Sequence, residues 1–289
     1  MFLRNLVTTD WLATAFDEPH LRILDCSVAL EVNSNGDIVN TAGDIWKLGH
    51  IPGSVFVDLK QELSDVSQPF PFALPSPSQF AAVMSRCGID HGKRVVVYDA
   101  CRDKWASIWA ARVWWMLRVF GFDDVAVLSG GLHKWKLDGY ALSTEEVVTA
   151  SASFFPEMRH ALVASKEDVL SSIGDAQCCL INALSAEEHA GRKTRYGRPG
   201  RIPTSVNVPA TSLVDETTRA FLPPEDLRAI FASTGALDRS RVVTYCGGGI
   251  AACGDALALA ILGVEDVAVY DGSLFEWTAD AKLPLEVAE

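Results

Sequence analysis

Residues 240–247 read SRVVTYCG, and residues 93–100 read KRVVVYDA. Each is a short β-branched run closed by a tyrosine, of the kind that fills a strand buried on both faces. Around these two stretches the chain repeats itself in a single order. LRILDCS (21–27) matches CCLINALS (178–185), GHIPGSVFVD (49–58) matches GRIPTSVNVP (200–209), and LPSPSQFAAVMSRCGI (74–89) matches LPPEDLRAIFASTGA (222–236). Further on, DVAVLSGGLHKW (124–135) matches DVAVYDGSLFEW (266–277). In both halves the β-branched runs alternate with longer stretches of helical period, the pattern of strands joined by crossover helices into a parallel sheet. The expected fold is α/β in two domains, residues 1–145 and 160–289. The boundary is placed in STEEVVTASASFFPEMRH (143–160), where small polar residues and Pro156 interrupt the periodicity.

The copies part company after the tyrosine. Aligning Tyr98 with Tyr245 sets Asp99 opposite Cys246, and the stretch to the next shared glycine is 23 residues in the first copy (99–121) but 18 in the second (246–263). Only the second copy follows with glycines: Cys246, Gly247, Gly248, Gly249, Ile250, Ala251, Ala252. Several chemistries use such a turn. Gly247, Gly249 and Ala252 fit a dinucleotide fingerprint with Asp271 as its ribose contact, but no complete β-α-β unit follows. A cysteine phosphatase needs an arginine where this chain has Ala252, and a phosphate-binding P-loop needs a Gly-Lys-Ser/Thr that is missing. A buried cysteine ending a strand is the ordinary fate of the residue. The glycines change that balance: they let successive backbone N–H groups turn inward, and a helix starting near Ala251 points its N-terminus at the same place, a nest for negative charge. A thiolate is stabilised there, and so is a second sulfur carried on it.

Bulk properties narrow the function classes. At 289 residues and 49% hydrophobic composition the chain buries a full core. A formal net charge of −12 disfavours nucleic acid or an anionic membrane as a partner. The first ten residues lack the apolar run of a secretory leader, so the expected location is the cytoplasm. The seven cysteines form no C-x-x-C pair and no zinc spacing, so they read as reduced thiols, and no metal or organic cofactor is expected. One basic turn stands out against the acidic whole: RKTRYGRPGR, residues 192–201. It reads either as a solvated face or as an anion site.

Taken together, GHIPGSVFVD, RVWWMLRVFG, LSGGLHKW, GRIPTSVNVP and YCGGGIAA resemble the tandem-domain sulfurtransferases, the rhodanese and mercaptopyruvate sulfurtransferase group, over almost the whole length. The resemblance implies two rhodanese-like domains, an inactive N-terminal copy, and a C-terminal copy whose Cys246 becomes a persulfide cradled by the backbone from Gly247 to Ala252, with the site in the cleft between the domains. It implies a small anionic donor, thiosulfate or 3-mercaptopyruvate, and a thiol, cyanide or reduced dithiol protein as acceptor. The chain departs from the family in its loop, which carries neither the charges usual with thiosulfate nor the hydroxyl usual with mercaptopyruvate. The missing hydroxyl tips the reading towards thiosulfate. Where the family commonly reads Asp-Ala-Arg and then a donor-holding arginine, this chain has Asn182, Ala183, Leu184 and Glu188. Arg192, Arg195 and Arg198 are the candidates to replace those arginines.

Other residues compete. His50 suits general acid/base work in a cleft, or a structural hydrogen bond in its turn. Cys101 is a rival thiol without a glycine nest. Trp105, Trp109, Trp114 and Trp115 resemble an aromatic box but fall at helical spacing, which favours packing. Cys253 reads as packing two turns along the helix. A non-catalytic module that carries a persulfide to one dedicated protein partner is the alternative function.

Overall fold

The computed structural model describes residues 5–100 and 107–288. By its contacts the chain divides into two units, the first comprising Met1–Asp65, Leu74–Met158 and Asp215–Ala220, the second Val66–Ala73, Arg159–Val214 and Phe221–Glu289.

In the first unit the elements run β1 (Leu6–Val7), α1 (Thr9–Ala15), β2 (Leu21–Asp25), β3 (Leu30–Val32), β4 (Ile38–Asn40), α2 (Ala42–Leu48), β5 (Ser54–Phe56), α3 (Pro77–Arg86), β6 (Arg94–Tyr98), α4 (Ile108–Val119), β7 (Val125–Leu128) and α5 (Gly131–Leu137). The second unit has β8 (Val163–Ala164), α6 (Lys166–Ser172), β9 (Cys178–Asn182), α7 (Ala186–His189), β10 (Val206–Asn207), α8 (Pro224–Ala232), β11 (Arg241–Tyr245), α9 (Ala251–Ile261), β12 (Val267–Tyr270) and α10 (Ser273–Ala279). Each unit holds a five-stranded sheet, ordered β1-β7-β6-β2-β5 in one and β8-β12-β11-β9-β10 in the other, so the two share one topology. All pairings in both sheets are parallel. The α/β expectation holds. An antiparallel ribbon, β3 with β4, adds to it in the first unit alone.

Parallel sheets are covered on both faces, so their central strands cannot alternate polar with apolar. Val95, Val96, Val97 and Tyr98 in β6, and Val242, Val243, Thr244 and Tyr245 in β11, are all fully buried. Each large apolar side chain so placed contributes about 1.5–3 kcal/mol. The buried tyrosine hydroxyl in each copy finds the same partners: Tyr98 takes the Ile51 amide at 3.3 Å and meets Ser54 Oγ at 2.9 Å. Tyr245 takes the Ile202 amide at 3.1 Å and meets Ser205 Oγ at 2.7 Å. This explains why Ile-Pro-x-Ser recurs in both copies. The repeated tryptophan is pinned alike, Trp135 Nε1 donating to the Ala141 carbonyl and Trp277 Nε1 to the Pro284 carbonyl, both at 2.9 Å.

From β2 the chain steps outward to β5 on one side and from β6 to β7 on the other. The gap beyond the carboxyl ends of β2 and β6 is therefore a topological switch point, and β9 and β11 make its counterpart. Cys246 follows directly on β11 at that place. Among the described residues no helix is long and apolar enough to cross a membrane.

Candidate active site

β11 ends at Tyr245 and α9 begins at Ala251, the start expected from the sequence, so residues 246–250 alone join the central strand to its helix. Cys246 is 2% exposed. Its amide donates to Ser273 Oγ at 3.0 Å, the Gly249 amide donates to the same oxygen at 3.2 Å, and Ser273 Oγ donates to the Tyr270 carbonyl at 2.7 Å. The far side of the loop is held by its carbonyls: Cys246 accepts from the Leu274 amide at 3.1 Å and Gly247 from the Phe275 amide at 2.9 Å. Thr244 Oγ1 donates to the Ala252 carbonyl at 3.0 Å, and the Cys253 thiol to the Gly249 carbonyl at 3.1 Å, so Cys253 ties the loop as well as packing.

These bonds revise the expected nest in one respect. The Gly249 amide is committed to Ser273, whereas no described group accepts from the amides of Gly247, Gly248, Ile250, Ala251 and Ala252.

Aromatic side chains crowd the loop. A Cβ on Gly247 would lie 2.0 Å from Tyr196 Cζ, and one on Gly248 would lie 3.2 Å from Phe275. The Tyr196 and Phe275 rings pack edge to face, 5.1 Å between centroids. Gly247 is thus needed for room, while Gly249, at φ +74°, is needed for its backbone turn. Burial, with the Cys246 sulfur adding to it and Arg195 opposing, pushes the Tyr196 hydroxyl up to about 12, so it keeps its proton at neutral pH.

Of the basic turn, Arg198 is spoken for: its guanidinium donates to the carbonyls of Thr278 at 3.2 Å, Asp280 at 2.8 Å and Leu283 at 3.0 Å. It fastens the end of α10 while also lining the small cavity beside Tyr196. Arg195 is exposed and lines a small cavity with Glu188, Lys193, Tyr196, Arg198 and Leu274. Arg192 is exposed and does not line it.

His50 is also corrected. It is fully buried, stacked on Trp46 at 3.9 Å, with Nδ1 2.9 Å from the Trp46 carbonyl and Nε2 3.1 Å from the Glu145 carbonyl. Neither ring nitrogen is left for a substrate. Trp114 and Trp115 are buried beneath Arg118 and Arg112, as packing residues. Cys101 and Trp105 lie outside the described residues.

At the matching switch point of the first unit stands Asp99, 1% exposed. Its Oδ1 accepts the Ser107 amide and its Oδ2 the Ala110 amide, each at 3.0 Å, so the N-terminus of α4 is filled by a carboxylate of its own chain. Gly131, at φ +52°, corresponds to Ser273, at φ +48°. A Cβ on Gly131 would stand 2.3 Å from the Asp99 carbonyl. The second copy accepts a serine in the strained left-handed region because its hydroxyl holds the loop.

The rhodanese-like domain family matches residues 8–138 and 165–280, both copies in turn. The chain belongs to that family. It is 36% identical to the 3-mercaptopyruvate sulfurtransferase of Escherichia coli (strain K12), across 97% of each chain. It is 34% identical to the thiosulfate sulfurtransferase of Rattus norvegicus, across 95% of this chain and 92% of that one. The crystal structure of the 3-mercaptopyruvate sulfotransferase SseA from Escherichia coli matches with a TM-score of 0.80 and 33% identity, covering 94% of this chain and 99% of that one. The anaerobic ergothioneine biosynthesis enzyme of Chlorobium limicola, at 20% identity and a TM-score of 0.83, shares the fold. This rhodanese-like protein is a sulfurtransferase, which takes sulfur from a donor and delivers it to an acceptor.

Tyr196, Ser273 and Phe275 were not found by sequence reasoning. Tyr196 left one signal, as the lone aromatic in the basic turn. Ser273 left another, replacing a glycine at a position where the copies otherwise agree.

Proposed function

We propose that Cys246 carries the sulfur, in two half-reactions that need no metal or organic cofactor. The Cys246 thiolate attacks the outer sulfur of a small anionic donor. With thiosulfate, the new S–S bond forms as the old one breaks, and sulfite leaves with its electron pair. With 3-mercaptopyruvate, the C–S bond breaks and the departing enolate takes a proton to become pyruvate. The persulfide then rests against the amides of Gly247, Gly248, Ile250, Ala251 and Ala252. Cyanide, a small thiol or a reduced dithiol protein takes the outer sulfur, and Cys246 is returned as a thiolate. In this reading the N-terminal domain, residues 1–145, is non-catalytic and the C-terminal domain, residues 160–289, is catalytic. The six cysteines among the described residues are all free, which accords with a reducing compartment, and we place the protein in the cytoplasm.

One observation carries the reading. A thiol ends the central strand beside five amides that no described group uses, where the other copy satisfies its helix with Asp99. The 2% exposure of Cys246 favours turnover of small molecules over the alternative of a non-catalytic module that passes its persulfide to one dedicated protein partner. The test is the intact mass after thiosulfate treatment, wild type against Cys246→Ser. A gain of one sulfur that is absent from the variant is expected; equal gains would transfer the role to another thiol.

A further inference from the structure

The residue that sets the donor's chemistry stands in α7. Ser185 and Glu188 form a capping box: Ser185 Oγ accepts the Glu188 amide at 3.3 Å, while Glu188 Oε2 accepts the Ser185 hydroxyl at 2.7 Å and the Ser185 amide at 3.3 Å. The cap uses only Oε2. Oε1 is buried with no hydrogen-bond partner, on a side chain that is 9% exposed overall. A buried acceptor left unmade is costly, and a carboxylate oxygen more so. Such an atom calls for an explanation, and a donor group brought by a bound molecule is one.

Its surroundings say what. Glu188 lines the small cavity shared with Lys193, Arg195, Tyr196, Arg198 and Leu274. Tyr196 packs on Gly247, and both the Cys246 sulfur and Glu188 act on its hydroxyl. The Leu274 amide donates to the Cys246 carbonyl. Tyr196 therefore borders both the cavity that Glu188 lines and the loop that follows the thiol. The cavity is about 10 Å³. That admits a single small group and excludes the sulfur-bearing body of a donor. An acceptor-only oxygen calls for a hydrogen donor there. Lys193, Arg195 and Arg198 line the same cavity and supply cations for an acid group.

We propose that Glu188 is a specificity-determining residue that selects sulfur donors bearing an ammonium or N–H group beside their carboxylate, a zwitterionic amino-acid persulfide rather than a plain anion. This rests on Cys246 being the sulfur-carrying residue. The step balances without a further reactant. Cys246 Sγ⁻ attacks the outer sulfur of R–S–SH, the Sγ–S bond forms as the inner S–S bond breaks, and the thiolate RS⁻ leaves and takes up the proton of the transferred sulfur.

The test compares two probes that differ in the group meeting Oε1: cysteine persulfide, and 3-mercaptopropionate persulfide, which keeps the carboxylate and lacks the ammonium. Sulfur loading onto the protein is followed in single turnovers by intact mass, at donor concentrations spanning saturation. In the wild type, cysteine persulfide is expected to load at least about tenfold faster below saturation, the worth of one hydrogen bond to a charged group. In Glu188→Gln, which keeps an oxygen for the Ser185 cap, that preference falls to within about twofold. The change lies in the half-saturating concentration rather than in the limiting rate. Equal loading from both probes by the wild type overturns the proposal even if no variant folds, and so does a preference unchanged in the variant. Loading of Cys246→Ser at the wild-type rate would instead overturn the role of Cys246, so the two failures are distinct.

Discussion

Two strands of equal burial end in opposite ways. After β6 the chain places Asp99, whose two oxygens take two amides at the head of α4. After β11 it places Cys246, and no described group accepts from the amides heading α9. The scaffold is the same in both, down to the tyrosine that holds Ile-Pro-x-Ser and the tryptophan that holds the chain end. The first copy satisfies its helix N-terminus internally and gains stability; the second leaves it open and gains chemistry. Fold and function thus separate at one residue position, which is why the pair can be exchanged experimentally.

The largest effect should come from making the second copy imitate the first. Cys246→Asp offers the loop an internal carboxylate, and sulfur loading should fall by at least about a thousandfold while the melting temperature stays within a few degrees. Retained loading above about one per cent would break the comparison. The reverse change is smaller. Asp99→Ala orphans two buried amides, and its urea midpoint should fall by the equivalent of about 2–3 kcal/mol. Because the variant's helix then has an open N-terminus, added sulfate should raise its melting temperature more than it raises the wild type's. Matching responses to sulfate would mean that Asp99 is not filling an anion site.

The smallest effect concerns the helices themselves. Asp255 in α9 is fully buried, neither oxygen has a hydrogen-bond partner, and burial pushes its carboxyl well above the usual range. Val113 holds the equivalent place in α4, each lying eight residues before the shared glycine. A carboxyl whose pKa is raised by folding loses stability as pH climbs from its unfolded value, about 3.9, through its folded one. Asp255→Val should therefore stabilise the protein by about 1–2 kcal/mol above neutral pH, with the gain shrinking towards pH 4 in thermal melts. A gain independent of pH would show that Asp255 is not held protonated.

What the sequence made legible was whatever repeats or stands alone. The paired RVV-x-Tyr runs disclosed the central strands, because strands covered on both faces have few alternatives in composition. Cys246 was legible because glycines follow it immediately. His50 was legible as a repeat position but not in its role: spacing cannot show that both ring nitrogens end on carbonyls. Arg198 was legible only as a cation in a basic turn; its bonds to the end of α10 left no local signal. The aromatic roof was hidden because Tyr196 and Phe275 reach the loop from segments far apart in the chain, and no local pattern records that meeting.

Ser273 has a last consequence, for where protons come from. A hydroxyl has one hydrogen to give and two lone pairs to offer, and all are engaged here, the hydrogen by Tyr270 and the lone pairs by Cys246 and Gly249. It is an anchor and has no spare capacity to relay a proton, and residues 246–250 contain no other hydroxyl. Leaving groups that depart as settled anions, such as sulfite or a thiolate, suit such a loop. A departing carbanion must find its hydrogen elsewhere, so its release should be sensitive to exchange of water for heavy water.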